Sequence, residues 1–138
     1  MNHRARKKLP RRLCTAAEEG RTGALQHLLR HGADPNQRRP DGATPLYLAA
    51  VQGHPRCVQL LLQAGADPNT ESHGPRCGLP LCAAAAHANI VTTGLLLAHG
   101  ADPERKEHHG TGGNALQWAR GWTDEAAYRE VEALLKHT

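Results

Sequence analysis

The chain has 138 residues, enough for one domain, and it lacks phenylalanine and has few other aromatic side chains. Its formal net charge is +4, and no apolar run approaches the ~20 residues that a membrane-spanning helix requires. The composition therefore argues against a conventional aromatic core and against a transmembrane helix. The basic N-terminus has no hydrophobic stretch behind it, unlike a secretory signal. We expect a soluble cytoplasmic protein, or a nuclear one if the source is eukaryotic.

The first segment of the chain is basic. Residues 3–12 carry six of the seventeen lysines and arginines, and the remainder has eleven positive and thirteen negative residues. We expect residues 1–12 to form a flexible arm. Three roles are open to it: a solvated extension, a contact with nucleic acid or an acidic partner, or a nuclear import signal. Nucleic acid is considered only for residues 4–12, where no aromatic side chain is available to stack on bases.

A four-residue motif then recurs along the chain. Gly-Ala-Asp-Pro occupies residues 32–35, 65–68 and 100–103, at separations of 33 and 35 residues, and a leucine-rich stretch precedes each copy. A period in the low thirties indicates supersecondary units that bury their apolar faces by stacking on one another. Such a stack offers an extended surface and rarely catalyses a reaction.

The second copy shows most clearly what one unit contains. Thr44 can cap a first helix that begins at Pro45, because proline suits the first helical position. Gly53 interrupts that helix, and Pro55 can open a second one with leucines at helical spacing. Gly65 fits the position directly after a helix. One unit is therefore predicted to be a turn followed by two short helices.

This unit resembles the ankyrin repeat. The residues that carry the resemblance are Thr44-Pro45-Leu46, Ala49-Ala50, Gly53-His54, Val58, Leu61-Leu62 and residues 65–69. Four copies can be traced, at about residues 11–36, 37–69, 70–103 and 104–137, within a domain over 13–138. The first and last copies are degenerate capping repeats. The resemblance implies an all-α solenoid of stacked helical pairs linked by hairpin-like turns.

Several residues depart from the family pattern. The histidine that bonds backbone between units is replaced by Tyr47, Cys82 and Gln117, and the capping threonine is replaced by Leu79 and Asn114. Losing a cap costs roughly 0.5–2 kcal/mol, and Gly94 inside a helix costs about 1 kcal/mol against alanine. We therefore expect copy three to be the weakest and copy four to be poorly capped, with about three extra residues around Trp122.

Cysteine and histidine do not form a recognisable site. The spacing of Cys14, Cys57, Cys77 and Cys82 matches no zinc pattern, and we expect reduced, buried thiols with Cys77 as the exposed exception. His108 and His109 fall on a turn of copy four and are interpreted as surface residues, with a partner contact or a metal as the less favoured alternatives. No phosphate loop, nucleophile elbow or paired-carboxylate motif appears. We expect no enzyme activity and no cofactor.

The resemblance also implies where a partner binds. In ankyrin stacks the turn tips and first helices line a concave face, and we expect a monomer that binds an unknown protein there. The turns of copies three and four are two residues longer than that of copy two, so their tips are expected to widen this surface. Trp118 replaces a core leucine and is expected to be packed inside. The matching positions are Arg38, Arg39, Pro40, Asp41, Val51, Gln52, Glu71, His73, Arg76, His87, Lys106, His108, His109, Arg120 and Trp122.

The alternative function belongs to another class. In it, the protein is a regulator whose basic arm contacts nucleic acid while the repeats hold a protein.

Overall fold

Short helices joined by tight loops alternate along the computed structural model, which describes residues 3–120 and 125–137, with side chains from Lys8 onward except those of residues 125 and 128. The segment Glu107–Gly110 is a single turn in which His108 and His109 have left-handed backbone angles. The helical segments in these residues are α1 His3–Glu19, α2 Thr22–Arg30, α3 Pro45–Val51, α4 Pro55–Gln63, α5 Pro80–Ala86, α6 Ile90–Ala98, α7 Glu107–Gly110, α8 Ala115–Ala119 and α9 Glu125–Lys136.

The helices form two layers. The first helices of the four units, α1, α3, α5 and α8, pack side by side in one layer, and α2, α4, α6 and α9 pack side by side in the other. Each unit pairs one helix of each layer. This arrangement confirms the predicted all-α stack of helical pairs. None of the described helices is long and apolar enough to cross a bilayer.

The second unit folds as its sequence predicts. The Thr44 hydroxyl accepts the Tyr47 N–H at 3.3 Å, and α3 begins at Pro45. Pro55 opens α4, and Gly65 follows that helix with a φ of +99°, a left-handed conformation that glycine adopts at little cost. The turn, the helix boundaries and the terminating glycine all lie where the sequence places them.

The core lies between the two layers and consists mainly of leucine and alanine. Leu13, Leu25, Leu61 and Leu96 are fully buried, one from each of α1, α2, α4 and α6. Burying a leucine contributes roughly 1.5–3 kcal/mol. Alanines such as Ala50 and Ala84 are also fully buried and occupy little volume between neighbouring helices. This packing explains how the chain folds without phenylalanine.

Hairpin-like turns connect successive units. Ser72 and Gly78 exchange two backbone hydrogen bonds, of 2.8 and 2.9 Å, and enclose residues 73–77. In the preceding turn the Arg39 N–H bonds the Ala43 carbonyl at 2.9 Å and encloses residues 40–42. The turn of copy four is closed between Glu107 and Gly113 at 3.2 Å and encloses residues 108–112. The third and fourth turns are thus two residues longer than the second, as predicted.

Residues 3–12 differ from the flexible arm expected from their charge. They form the first turns of α1, and the helix continues without a break into the first repeat. An apolar contact explains why the helix extends through this segment. Leu9 lies one helical turn before Leu13 and packs against the same core. The domain boundary near residue 12 stays a prediction.

The expectation of a poorly capped fourth copy is wrong. The Asn114 side chain accepts the Gln117 N–H at 3.0 Å, and the Gln117 side chain accepts the Asn114 N–H at 2.8 Å. This reciprocal capping box satisfies two backbone donors of α8. Leu79, by contrast, provides no side-chain cap for α5, as predicted.

The cysteines are as predicted. Cys14, Cys57 and Cys82 are buried, Cys77 is exposed, and all four are free thiols. The thiols of Cys14 and Cys82 lie 3.8 and 3.7 Å from the backbone carbonyls of Ala43 and Gly113 in the following unit. They make a weak form of the contact between units that the family's histidine makes.

Candidate functional site

The residues expected to contact a partner lie at the surface. Trp122 is outside the described residues. Of the rest, none is buried: four are partly exposed, and the others are exposed. The partly exposed ones are Arg38, Arg39, Val51 and Glu71, and the exposed ones are Pro40, Asp41, Gln52, His73, Arg76, His87, Lys106, His108, His109 and Arg120.

The structure divides these residues into two rows. The turn-tip residues precede the N-terminal ends of the first helices. Val51, Gln52, His87 and Arg120 instead lie at the C-terminal ends of α3, α5 and α8. A seven-residue helix such as α3 is about 10 Å long, so the rows lie on opposite ends of the first-helix layer. The repeat positions alone had indicated one continuous set.

The tips themselves are in contact. The His73 N–H donates to the Gly42 carbonyl at 3.0 Å, joining the second tip to the third. The His108 N–H donates to the Glu71 carboxylate at 2.6 Å, joining the third to the fourth. The rings of His73 and His109 are 6.2 Å apart. The three tips therefore form one connected edge.

Glu18 is a central residue of this edge that the sequence analysis missed. Its carboxylate lies 3.1 Å from the Arg39 guanidinium and 3.2 Å from that of Arg76. Arg39 also pairs with Asp41 at 2.9 Å, and this contact holds the pKa of the Asp41 carboxyl below its usual value. Sequence separations of 21 and 58 residues leave no local signal for these pairs.

This network ties Arg38 and Arg39 to the stability of the stack. Arg39 pairs with Glu18, and Arg38 donates to the Gly42 carbonyl at 2.9 Å. Charge reversal at Arg39 would place a carboxylate against Glu18 and Asp41, so its effect on binding could not be separated from its effect on stability.

A second missed residue, Glu107, lies beneath the long tips. Its side chain is only 4% exposed, and it accepts the Leu79 N–H at 2.8 Å. Burial raises the pKa of the Glu107 carboxyl above its usual value, although the hydrogen bonds from Leu79 and the Trp118 indole oppose the shift. Ser72 makes the matching contact in the preceding unit, where its hydroxyl accepts the Thr44 N–H at 3.1 Å.

Trp118 is not packed inside, contrary to the expectation from its repeat position. It is 44% exposed, whereas Leu48 at the equivalent position is fully buried beside Ala43. The Trp118 ring lies over Gly113, the counterpart of Ala43. The indole is larger than the leucine side chain that is buried at this position in the second repeat, and part of it remains in solvent.

Helix α1 adds a basic wall beside the second tip. Lys8, Arg11 and Arg12 are exposed and, together with Pro40, line an open groove of about 620 Å³. The groove continues past Thr15 to Arg39 and Asp41. In the sequence these cations belong to a basic N-terminal run, which carries no sign that they border a turn tip.

The side chains at these surfaces are mainly charged and hydrogen-bonding groups. No group of three His, Cys, Asp or Glu side chains among the described residues is arranged to hold a metal ion. Burial raises the pKa of the Cys14 thiol to about 11, which disfavours the nucleophilic thiolate. The exposed edge instead presents backbone turns, imidazoles and guanidinium groups, which suit hydrogen bonds and ion pairs with a partner.

Comparison with known proteins agrees with the architecture. A family model described as ankyrin repeats in three copies matches residues 13–107. The pair α8 and α9 extends the described stack beyond the matched residues. No curated protein matches the chain.

Proposed function

Because this match covers more than half of the chain, the protein belongs to the ankyrin-repeat family, and we propose that it binds a protein partner through its turn tips and first helices. Ankyrin repeats are generally protein–protein interaction modules and are typically non-enzymatic. We propose further that the chain acts as a monomer in the cytoplasm.

The continuity of the three tips carries this proposal. The contacts of His73 with Gly42 and of His108 with Glu71 hold the tips in a fixed relationship before any partner arrives. A preorganised surface loses less conformational entropy on binding. A typical interface buries about 800 Å² on each partner. Several neighbouring repeats together can provide a surface of that size.

Photo-crosslinking tests the location of the face. A photoreactive phenylalanine analogue is placed at His73 on the third tip or at Gln52 at the end of α3, both of which are exposed. The matched control carries it at Gln63, an exposed residue of α4 in the other layer. Irradiation in extract of the source cells should give a discrete protein adduct from the His73 and Gln52 variants.

The Gln63 variant should give no such adduct. Adducts from Gln63 alone would place the partner on the second-helix layer and refute the proposed face. Equal adducts from all three positions would indicate non-specific contact and would also refute it.

A further inference from the structure

We propose that the groove between α1 and the second turn tip binds an acidic peptide segment of the protein partner. This inference rests on the proposed function and names the chemistry of one part of the partner. It adds residues Lys8, Arg11 and Arg12, which lie outside the face expected from the family.

The geometry of α1 creates the groove. Lys8, Arg11, Thr15 and Glu18 follow one another at spacings of three and four residues, so they share one helix face. Leu9 lies off this face and packs against the core. At 17 residues α1 is ten residues longer than α3, and its extra turns form a wall beside Pro40.

The charge of the groove is unbalanced. The carboxylate that lines it, Asp41, is already paired with Arg39. The neighbouring Glu18 is paired with Arg39 and Arg76. Within the described part of the chain, Lys8, Arg11 and Arg12 have no carboxylate within 4.0 Å. Three cations therefore face solvent at one end of the groove, and a partner's carboxylates would complement them.

The same surface favours a peptide over nucleic acid. The cations Lys8 and Arg11 lie at one end of the groove, whereas Arg39 at the other end is already paired with Asp41. A peptide can place acidic side chains at one end alone, whereas a phosphate backbone carries a charge at every nucleotide. Pro40 and Thr15 offer apolar contacts, and the groove contains no aromatic ring for base stacking. From Lys8 to Thr15 the groove follows about 10 Å of α1, a length that about three residues of an extended peptide span.

Fluorescence anisotropy with three labelled probes tests this inference on the full chain. The probes are an octapeptide of alternating glutamate and alanine, the same peptide with glutamine in place of glutamate, and a short oligothymidylate. We expect the glutamate peptide to bind, the glutamine peptide to bind at least about tenfold more weakly, and binding to weaken from about 50 mM to about 300 mM salt.

Two charge-reversal variants separate the groove from the rest of the surface. Lys8→Glu with Arg11→Glu should weaken the glutamate peptide about tenfold, because two favourable contacts become unfavourable. Arg30→Glu with Arg56→Glu makes the same change in net charge at exposed positions of α2 and α4 and should leave affinity unchanged. Circular dichroism should show the same helicity for both variants.

Equal losses from the two variants, or equal binding of the two peptides, would overturn the inference. Tighter binding of the oligothymidylate that is lost with Lys8→Glu and Arg11→Glu would assign the groove to nucleic acid instead. If the glutamate peptide fails to bind while the His73 and Gln52 crosslinks persist, this inference fails and the proposed function stands.

Discussion

Asn69 at the end of the second repeat is joined to Asp102 at the end of the third. Its side-chain oxygen accepts the Asp102 N–H at 2.7 Å, and its amide group donates to the Gly100 carbonyl at 3.0 Å. Asn36 makes the same pair of bonds, to Asp67 at 2.7 Å and to Gly65 at 3.0 Å. Successive repeats are therefore linked by a ladder of asparagines as well as by their apolar cores.

The asparagine ladder predicts an effect on stability. Asn69→Ala removes two hydrogen bonds between neighbouring repeats and should lower the free energy of unfolding by about 1–2 kcal/mol, measured by urea denaturation. Asn69→Asp keeps an acceptor for Asp102 but places an oxygen against the Gly100 carbonyl, so it should be no more stable than wild type. Stability equal to wild type in both variants would show that the ladder contributes nothing.

Gly94 predicts a stabilising substitution. It lies inside α6, and a Cβ atom built there meets no heavy atom within 4 Å. Gly94→Ala should raise the free energy of unfolding by about 1 kcal/mol. Gly65→Ala is the control, because its φ of +99° makes a side chain costly; it should be destabilised, and a gain there would contradict the argument.

Gly94 should also affect how readily the third repeat opens locally. Copy three combines Gly94 with an uncapped first helix, so its amides should exchange hydrogen faster than those of copy two. Protection in α6 should rise in Gly94→Ala. If residues 41–69 were the least protected region, the argument from caps and glycine would be wrong.

Two adjacent threonines on α6 make a matched pair. Thr92 is fully buried, and its hydroxyl has no hydrogen-bond partner among the described residues. Thr92→Val should therefore raise stability by about 1 kcal/mol, because a buried unpaired hydroxyl is removed with little change in shape. The Thr93 hydroxyl donates to the Asn89 carbonyl at 2.8 Å, so Thr93→Val should instead lower stability by about 1 kcal/mol. Chemical denaturation measures both, and the same sign in both variants would contradict the hydrogen-bond assignment.

Glu107 predicts a pH dependence of stability. Because its carboxyl has a raised pKa in the folded protein, the folded state holds the proton more tightly than the unfolded state does. The resulting stabilisation is complete below the unfolded pKa of about 4.3 and is lost as pH rises through the folded pKa. Glu107→Gln retains an acceptor for the Leu79 N–H and lacks this ionisation.

The measurement is the difference in unfolding free energy between Glu107→Gln and wild type from pH 4 to pH 8. Relative to wild type, the variant should gain stability as pH rises and then level off. A difference that is independent of pH, or that falls with pH, would show that burial does not raise the pKa of this carboxyl.

Local chemistry explains how much of the fold could be predicted from the sequence. The helix boundaries of the second unit are set by residues that act on the backbone of their own segment: Thr44, Pro45, Pro55 and Gly65. Because the unit is repeated, similar residues recur at the same positions in other copies and strengthen the prediction. The capping box at Asn114 also has a local signature, an asparagine followed three residues later by glutamine, which the comparison with a family threonine obscured.

The candidate surface was less predictable because its key contacts are not local. Glu18 contacts Arg39 and Arg76 from other repeats, and the charge run at residues 3–12 gave no sign that Leu9 would continue a helix onto the core. Trp118 shows a further limit: repeat position alone does not state whether a side chain fits the space that its neighbours leave.

The buried thiols at the junctions between repeats can also be used to measure local opening of the stack. Cys14 and Cys82 are almost completely shielded, and burial raises the pKa of both thiols. An alkylating reagent can reach them only when the surrounding structure opens, whereas Cys77 is exposed from the start. Mass spectrometry of the labelled chain would time the opening of two separate junctions in one sample, with no engineered reporter.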